Sequence, residues 1–130
     1  MKVFGLDGRQ HNLNNSLYRR QSNNGSQQHV RARAILKELF GLNQILEEVS
    51  LPGTNKLTAD FFIPDLKVII EVNGQQHYEY VKHFHKDQKG FQASVQRDNN
   101  KKTWCELNQI TLIELNSLES DDEWRTKLSS

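Results

Sequence analysis

The residues of this chain best suited to chemistry are two carboxylates, Asp60 and Glu71, in the stretch LTADFFIPDLKVIIEVNGQQH from Leu57 to His77. Phe61 to Ile63 and Val68, Ile69, Ile70 and Val72 have strand composition, and Pro64-Asp65 is turn chemistry, so the stretch reads as a β-hairpin. With the turn centred between Asp65 and Leu66, Asp60 and Glu71 lie equally far from it and face each other. Cross-strand neighbours have Cβ atoms about 5 Å apart, and like charges placed so are destabilising. Glu71 also interrupts a run that otherwise reads as buried. Facing carboxylates near a core need a positive partner, and hard divalent cations such as Mg²⁺ (or Mn²⁺) take oxygen ligands in that arrangement. The spacing leaves two alternatives open: a pair solvated on the hairpin's open face, or one neutralised by Lys or Arg from elsewhere.

The elements that must position this pair follow from periodicity. Ala32, Ile35, Leu36, Leu39 and Phe40 have helical spacing, with Ser26 as N-cap and Gly41 as the stop. Ile45 to Leu51 reads as a first strand leading through Pro52-Gly53 into the Asp60 strand, and Glu48 on it would reach a metal if it shared the face of Asp60 but reads better as a solvated charge. Phe91 to Leu107 reads as a second helix on which Val95, Asp98, Lys101 or Lys102, and Cys105 share a face. Ile110 to Leu115 is a buried last strand, and Asp121 to Leu128 a closing helix with Trp124 packing back. The expected fold class is therefore α/β, a mixed sheet of about four strands flanked by helices in the order α-β-β-β-α-β. Residues 1–25 form a separate N-terminal unit, with a hairpin of Lys2 to Leu6 and Arg9 to Leu13 joined by Asp7-Gly8. That hairpin either packs on the domain of residues 26–130 or acts as an arm, with Tyr18, Arg19 and Arg20 touching nucleic acid, unless Asn14 to Ser26 is a plain linker.

Asp60-Phe61-Phe62-Ile63-Pro64, then Val68-Ile69-Ile70-Glu71-Val72-Asn73-Gly74, then His77, and later Gln96-Arg97-Asp98 before a helix and strand, resemble the PD-(D/E)XK nuclease superfamily. Within it the likeness is to the very short patch repair endonuclease-like branch, over roughly Ser26 to Asn116. The resemblance implies a divalent-metal-dependent DNA endonuclease of phage or homing type. Asp60 and Glu71 would hold Mg²⁺ or Mn²⁺, His77 would transfer a proton, and Asp98 would orient it. Asn73 stands where most of the superfamily has Lys, and would fill that space by hydrogen bonding. The repair enzymes' cysteine-rich zinc site and aromatic wedge have no counterpart, since Gln75 and Gln76 follow the glycine and Cys105 is the lone cysteine, so no structural zinc is expected. An inactive nuclease-fold DNA-binding module and an RNA-directed or structure-specific nuclease are the competing readings.

Composition bounds the rest. At 130 residues, 35% apolar and 25% charged, the chain suits one small globular core. No apolar run approaches a membrane span and the N-terminus lacks a signal-peptide core, so the expectation is a cytoplasmic protein of a bacterial or phage-infected cell. A net charge of +1 excludes a generally basic nucleic-acid binder and leaves local clusters to contact DNA. Those clusters are Arg19-Arg20, Arg31 and Arg33, Lys82, Lys86 and Lys89, and Arg97, Lys101 and Lys102, each of which is otherwise an ordinary solvated face. His83, His85 and Asp87 invite a zinc reading, but in a Lys-rich, apolar-poor segment they read as a loop facing nucleic acid. DNA is the expected partner, a homodimer is left open, and no membrane is expected.

Overall fold

The computed structural model describes residues 1–14, 21–73 and 88–129, and within the second helix the side chains of 88–95 and 98 lie outside that description. A hairpin of β1 (Lys2–Phe4) and β2 (Gln10–Asn12) is followed by α1 (Gln27–Phe40), β3 (Leu46–Ser50), β4 (Thr58–Ile63) and β5 (Val68–Asn73). Then come α2 (Gln88–Leu107), β6 (Thr111–Asn116) and α3 (Asp121–Ser129). The main sheet has the order β3-β4-β5-β6, antiparallel except for the parallel β5–β6 pair. This is the mixed α/β architecture and the α-β-β-β-α-β order that the periodicity predicts.

Alternating side chains give the sheet two apolar faces, and each is covered. On one, Phe61, Ile63, Ile70 and Leu115 meet Ala32, Ile35 and Leu36 of α1 and Trp124 and Leu128 of α3. On the other, Leu46, Phe62 and Ile69 meet Trp104 and Cys105 of α2 and Val3 and Leu13 from the N-terminal hairpin. Burying aromatic and branched side chains on both faces is the main source of stability, at roughly 1.5–3 kcal/mol for each large side chain. Cys105 is fully buried, and that burial, followed by the nearby Glu71 carboxylate, pushes its thiol up to about 12. It is a packing residue rather than a reactive one.

Local chemistry sets the element ends. Ser26 caps α1 by accepting from the His29 N–H at 3.3 Å. Gly41 ends α1 with a right-handed φ of −61°, not in the left-handed conformation usual for a terminal glycine. What needs glycine there is space, because a Cβ would lie 2.7 Å from the Lys37 carbonyl oxygen. Between β4 and β5 the chain makes one 3₁₀ turn at Pro64–Leu66, with Pro pre-setting φ and Lys67 (φ 51°) returning its N–H to the Pro64 oxygen at 3.1 Å.

The hairpin takes the packed alternative, not the arm. Val3 and Leu13 are each 1% exposed, and the Asn108 side chain clasps the Phe4 backbone, accepting from its N–H at 2.6 Å and donating to its carbonyl at 2.9 Å. Gly5 lies against Gly53 so closely that a Cβ on Gly5 would sit 2.5 Å from the other Cα. The strands are shorter than expected, and residues 5–9 form the loop that the Asp7-Gly8 pair was expected to close alone. Arg19 and Arg20 lie outside the described residues.

Candidate active site

Asp60 and Glu71 meet as the turn geometry requires. The β4–β5 ladder pairs Phe61 with Ile70 and Phe62 with Ile69, so one further step places Asp60 opposite Glu71. At that step the strands part. The Asp60 N–H donates to Glu71 Oε2 at 2.8 Å, and the Val72 N–H donates to Asp60 Oδ2 at 2.9 Å. Each carboxylate thus satisfies a backbone donor of the other strand, and the two side chains fill the opening between the strands.

The ladder on the other side of Asp60 is also interrupted. β3 pairs with β4 through Glu47–Phe61 and Val49–Ala59, skipping the Glu48–Asp60 position between them. Glu48 has a left-handed φ of 52°, rare for a residue with a side chain. Val49 and Ala59 consequently join the same core as Leu46 and Phe62, where strict alternation would turn them to the opposite face. Glu48 itself is exposed and accepts from Asn24 Nδ2 at 3.1 Å, so it stays a surface carboxylate as expected.

Lys101 completes the site, its ammonium resting on Glu71 Oε1. The positive partner left open at the sequence level is therefore a lysine from α2, while the strand position two residues after Glu71 is the buried Asn73. Even so the site is short of positive charge. Burial, then the facing Asp60 carboxylate, push the Glu71 carboxyl up to about 7 against the opposing pull of Lys101. The parallel ladder sets Glu114 next to Glu71 and Asn116 next to Asn73 along the backbone. Glu114 shares an open pocket with Lys102, Cys105 and Glu106, placing it on the α2 face of the sheet. Sequence reasoning passed over Glu114; the signal was there, a lone charge inside the apolar run from Ile110 to Leu115, the pattern that singled out Glu71.

Among the described residues no group of three or more His, Cys, Asp or Glu side chains converges to cage a metal. A two-carboxylate site still fits Mg²⁺, which keeps several waters and uses one or two carboxylates. The donors are hard oxygens, and among the described residues Asp60 Oδ1 has no hydrogen-bond donor. His77 and Lys86 lie outside the described residues. Asp98 and Lys89 fall on α2, with side chains outside that description.

The basic candidates divide sharply. Arg97 is exposed on α2 one turn before Lys101, where it can meet a ligand. Arg31 and Arg33, expected on a nucleic-acid face, are instead committed inside the fold. The Arg31 guanidinium lies 3.6 Å over the Trp124 ring, pairs with Asp121 and donates to the carbonyls of Ser117 and Glu119, tying α1 to the α3 end of the chain. Arg33 grips both oxygens of Glu47 at 2.8 and 2.9 Å. His29 Nε2 and the Ser22 hydroxyl also meet Glu47, and the His29 ring stacks on Phe61 at 4.4 Å. Burial would raise the Glu47 carboxyl, but the hydrogen bonds from Arg33, His29 and Ser22 overcome it and hold the group at about 2. The physical reason for the correction is that these arginines neutralise carboxylates and bind turn carbonyls of their own chain.

No known protein-family profile matches the chain, and no solved structure matches it. Its sequence is similar to viral proteins. Uncharacterized protein 307L of Invertebrate iridescent virus 6 is 41% identical over 63 residues, which is 48% of this chain and 32% of that protein. Uncharacterized protein 033L of Invertebrate iridescent virus 3 is 34% identical over 61 residues, 47% of this chain and 31% of that protein. Uncharacterized protein 094L of Frog virus 3 is 39% identical over 66 residues, 49% of this chain and 43% of that protein. The matched stretch is thus about half of this chain and 31% to 43% of each relative's length.

Proposed function

We propose that this chain is a divalent-metal-dependent endonuclease that hydrolyses phosphodiester bonds in DNA. The observation that supports the reading is the reciprocal carboxylate pair. Two strands part at Asp60 and Glu71, each side chain holds the other strand's N–H, and of the two oxygens that remain only Glu71 Oε1 meets a cation among the described residues, Lys101. A structural core gains little from such a pair, because desolvating two like charges is costly. A bound divalent cation would supply Lewis acidity at a scissile phosphate and a water of lowered pKa. Asp60 and Glu71 would hold that cation, and the strands' N–H groups fix the orientation of both carboxylates. Asn73, on the same strand as Glu71, would bind a substrate oxygen, while the exposed Arg97 would meet the phosphate backbone. His77 and Asp98 enter from the resemblance to the PD-(D/E)XK nucleases, as the proton-transferring group and its orienting partner. We place the activity in the cytoplasm of an infected cell, and the viral relatives make a virus, as well as a phage, a fitting source. Among the described residues no helix is long and apolar enough to cross a membrane.

A second reading, a nuclease-fold module that binds DNA without cutting it, draws on one observation: Lys101 already neutralises Glu71. The deciding experiment incubates the chain with supercoiled plasmid, single-stranded DNA and RNA in Mg²⁺, Mn²⁺ or EDTA, beside Asp60→Asn and Glu71→Gln. Metal-dependent nicking or linearisation that both substitutions abolish is expected. Cleavage that survives both removes the carboxylate assignment, and DNA binding without cleavage under either metal supports the second reading.

A further inference from the structure

Lys101 reaches the carboxylates from α2, an element separate from both strands that carry them, and it touches one particular oxygen. Glu71 Oε2 is committed to the Asp60 N–H and Asp60 Oδ2 to the Val72 N–H. The oxygens left to face a ligand are Asp60 Oδ1 and Glu71 Oε1, and Glu71 Oε1 is the atom that the Lys101 ammonium holds. A cation held by the two carboxylates would therefore compete with that ammonium for Glu71 Oε1.

We propose, resting on the reading of this pair as a metal site, that Lys101 is the site's resident counter-ion, which fills the cation position in the metal-free protein and yields it to an entering divalent ion. Charge counting supports an exchange. When both are ionised, Asp60 and Glu71 carry two negative charges against one on Lys101, so the metal-free site is short of positive charge and a divalent ion corrects the deficit. The lysine also has somewhere to go. Glu71's side chain is only 6% exposed but that of Lys101 is 20% exposed, on a flexible stem that can swing the ammonium to the surface. There it joins Arg97, one helical turn away, in presenting positive charge to a phosphodiester.

The test is Mn²⁺ binding to the full chain by titration calorimetry at fixed pH and salt, for wild type, Lys101→Gln and Lys101→Met, with Asp60→Asn as the control that should not bind. Far-UV circular dichroism checks that each variant is folded. Both Lys101 substitutions should tighten Mn²⁺ binding by roughly tenfold or more, because no ion pair has to be broken to admit the ion. Equal or weaker binding in folded Lys101 variants overturns the proposal while leaving the metal site standing. Absence of binding in wild type and both Lys101 variants overturns the metal reading as well. Should the variants fail to fold, Mg²⁺ titration of wild type carrying ¹³C-labelled lysine answers the same question. The Lys101 side-chain resonance should then move with the same dissociation constant as the calorimetric one, and a resonance that stays fixed through saturation refutes the exchange.

Discussion

Replacing Glu71 with Gln should flatten part of the pH dependence of stability in the metal-free protein. An ordinary Glu titrates near 4.5, whereas burial and the facing Asp60 carboxylate, opposed by Lys101, raise Glu71 to about 7 in the folded chain. Between those values the folded state keeps a proton that the unfolded state has released, so stability falls as pH rises through the window and the loss is complete above it. At about 1.4 kcal/mol for each pKa unit, the gap amounts to about 3 kcal/mol. Among the described residues the charges acting on Glu71 are Asp60 from β4 and Lys101 from α2, with the Cys105 thiol nearby, and all of them remain in the variant. Urea unfolding in EDTA at pH values from about 5 to 8 gives the comparison, and histidine titrations common to both proteins cancel when the curves are subtracted. Wild type should lose about 3 kcal/mol relative to Glu71→Gln across that range. Saturating Mg²⁺ at the alkaline end should restore wild type and leave the variant unmoved. Parallel curves for the two proteins would refute the account of a carboxylate held against its own charge.

Asp60→Ala should destabilise the metal-free chain by about 1 kcal/mol or less, because orphaning the Val72 N–H at roughly 1–3 kcal/mol is offset by relief of the repulsion on Glu71; chemical denaturation reads the balance. Arg33→Ala should cost about 3 kcal/mol, the low end for a broken buried pair, by leaving buried Glu47 with only His29 and the Ser22 hydroxyl. Because Glu47 is held at about 2, its contribution is full above its ordinary 4.5 and drains away as pH falls toward 2, so an acid unfolding midpoint that Glu47→Gln leaves in place would count against it. Deleting residues 1–14 should unfold the chain rather than trim an arm, since Val3 and Leu13 pack with Trp104, and a cooperative melt near the wild-type temperature would show otherwise. His77→Ala should slow single-turnover cleavage by roughly two to four orders of magnitude with Mn²⁺ affinity unchanged, and loss of metal binding instead would make His77 a ligand.

Sheet, helices and carboxylate pair were legible because each rests on a local rule. Strand composition and one turn position Asp60 against Glu71, and the residue pattern finds α1 and the end of α2, whose start at Gln88 lies ahead of the expected Phe91. What stayed hidden depends on contacts far apart in sequence. Helical periodicity could narrow the cation on α2 to Lys101 or Lys102, but only the packing of Trp104 and Cys105 on the sheet turns Lys101 to Glu71. Arg31 and Arg33 look like a basic surface in sequence. Nothing near them announces Glu47, 14 residues beyond Arg33, or Asp121, 90 residues beyond Arg31. The left-handed turn at Glu48 was equally invisible, because glutamate carries no signature for it.

The outer edge of β6 bears on how copies of the chain can associate. Strand edges invite other strands by offering unused N–H and C=O groups. Here the Asn116 N–H goes to Glu119 Oε1, its carbonyl accepts from the Trp124 indole, and the Glu114 carbonyl accepts from Lys127. All three stoppers are side chains from α3 or from the turn before it, so the helix that packs the core also seals the sheet's rim. At the opposite rim, the bonds from Ser22 and Asn24 go to the side-chain carboxylates of Glu47 and Glu48 and not to backbone edge groups, so what spoils a flat docking line on β3 is the left-handed turn at Glu48. With the C-terminal end of β6 occupied and the line of β3 broken at Glu48, the described sheet edges disfavour the joining of sheets between copies, the route by which small α/β proteins swap strands or seed aggregates.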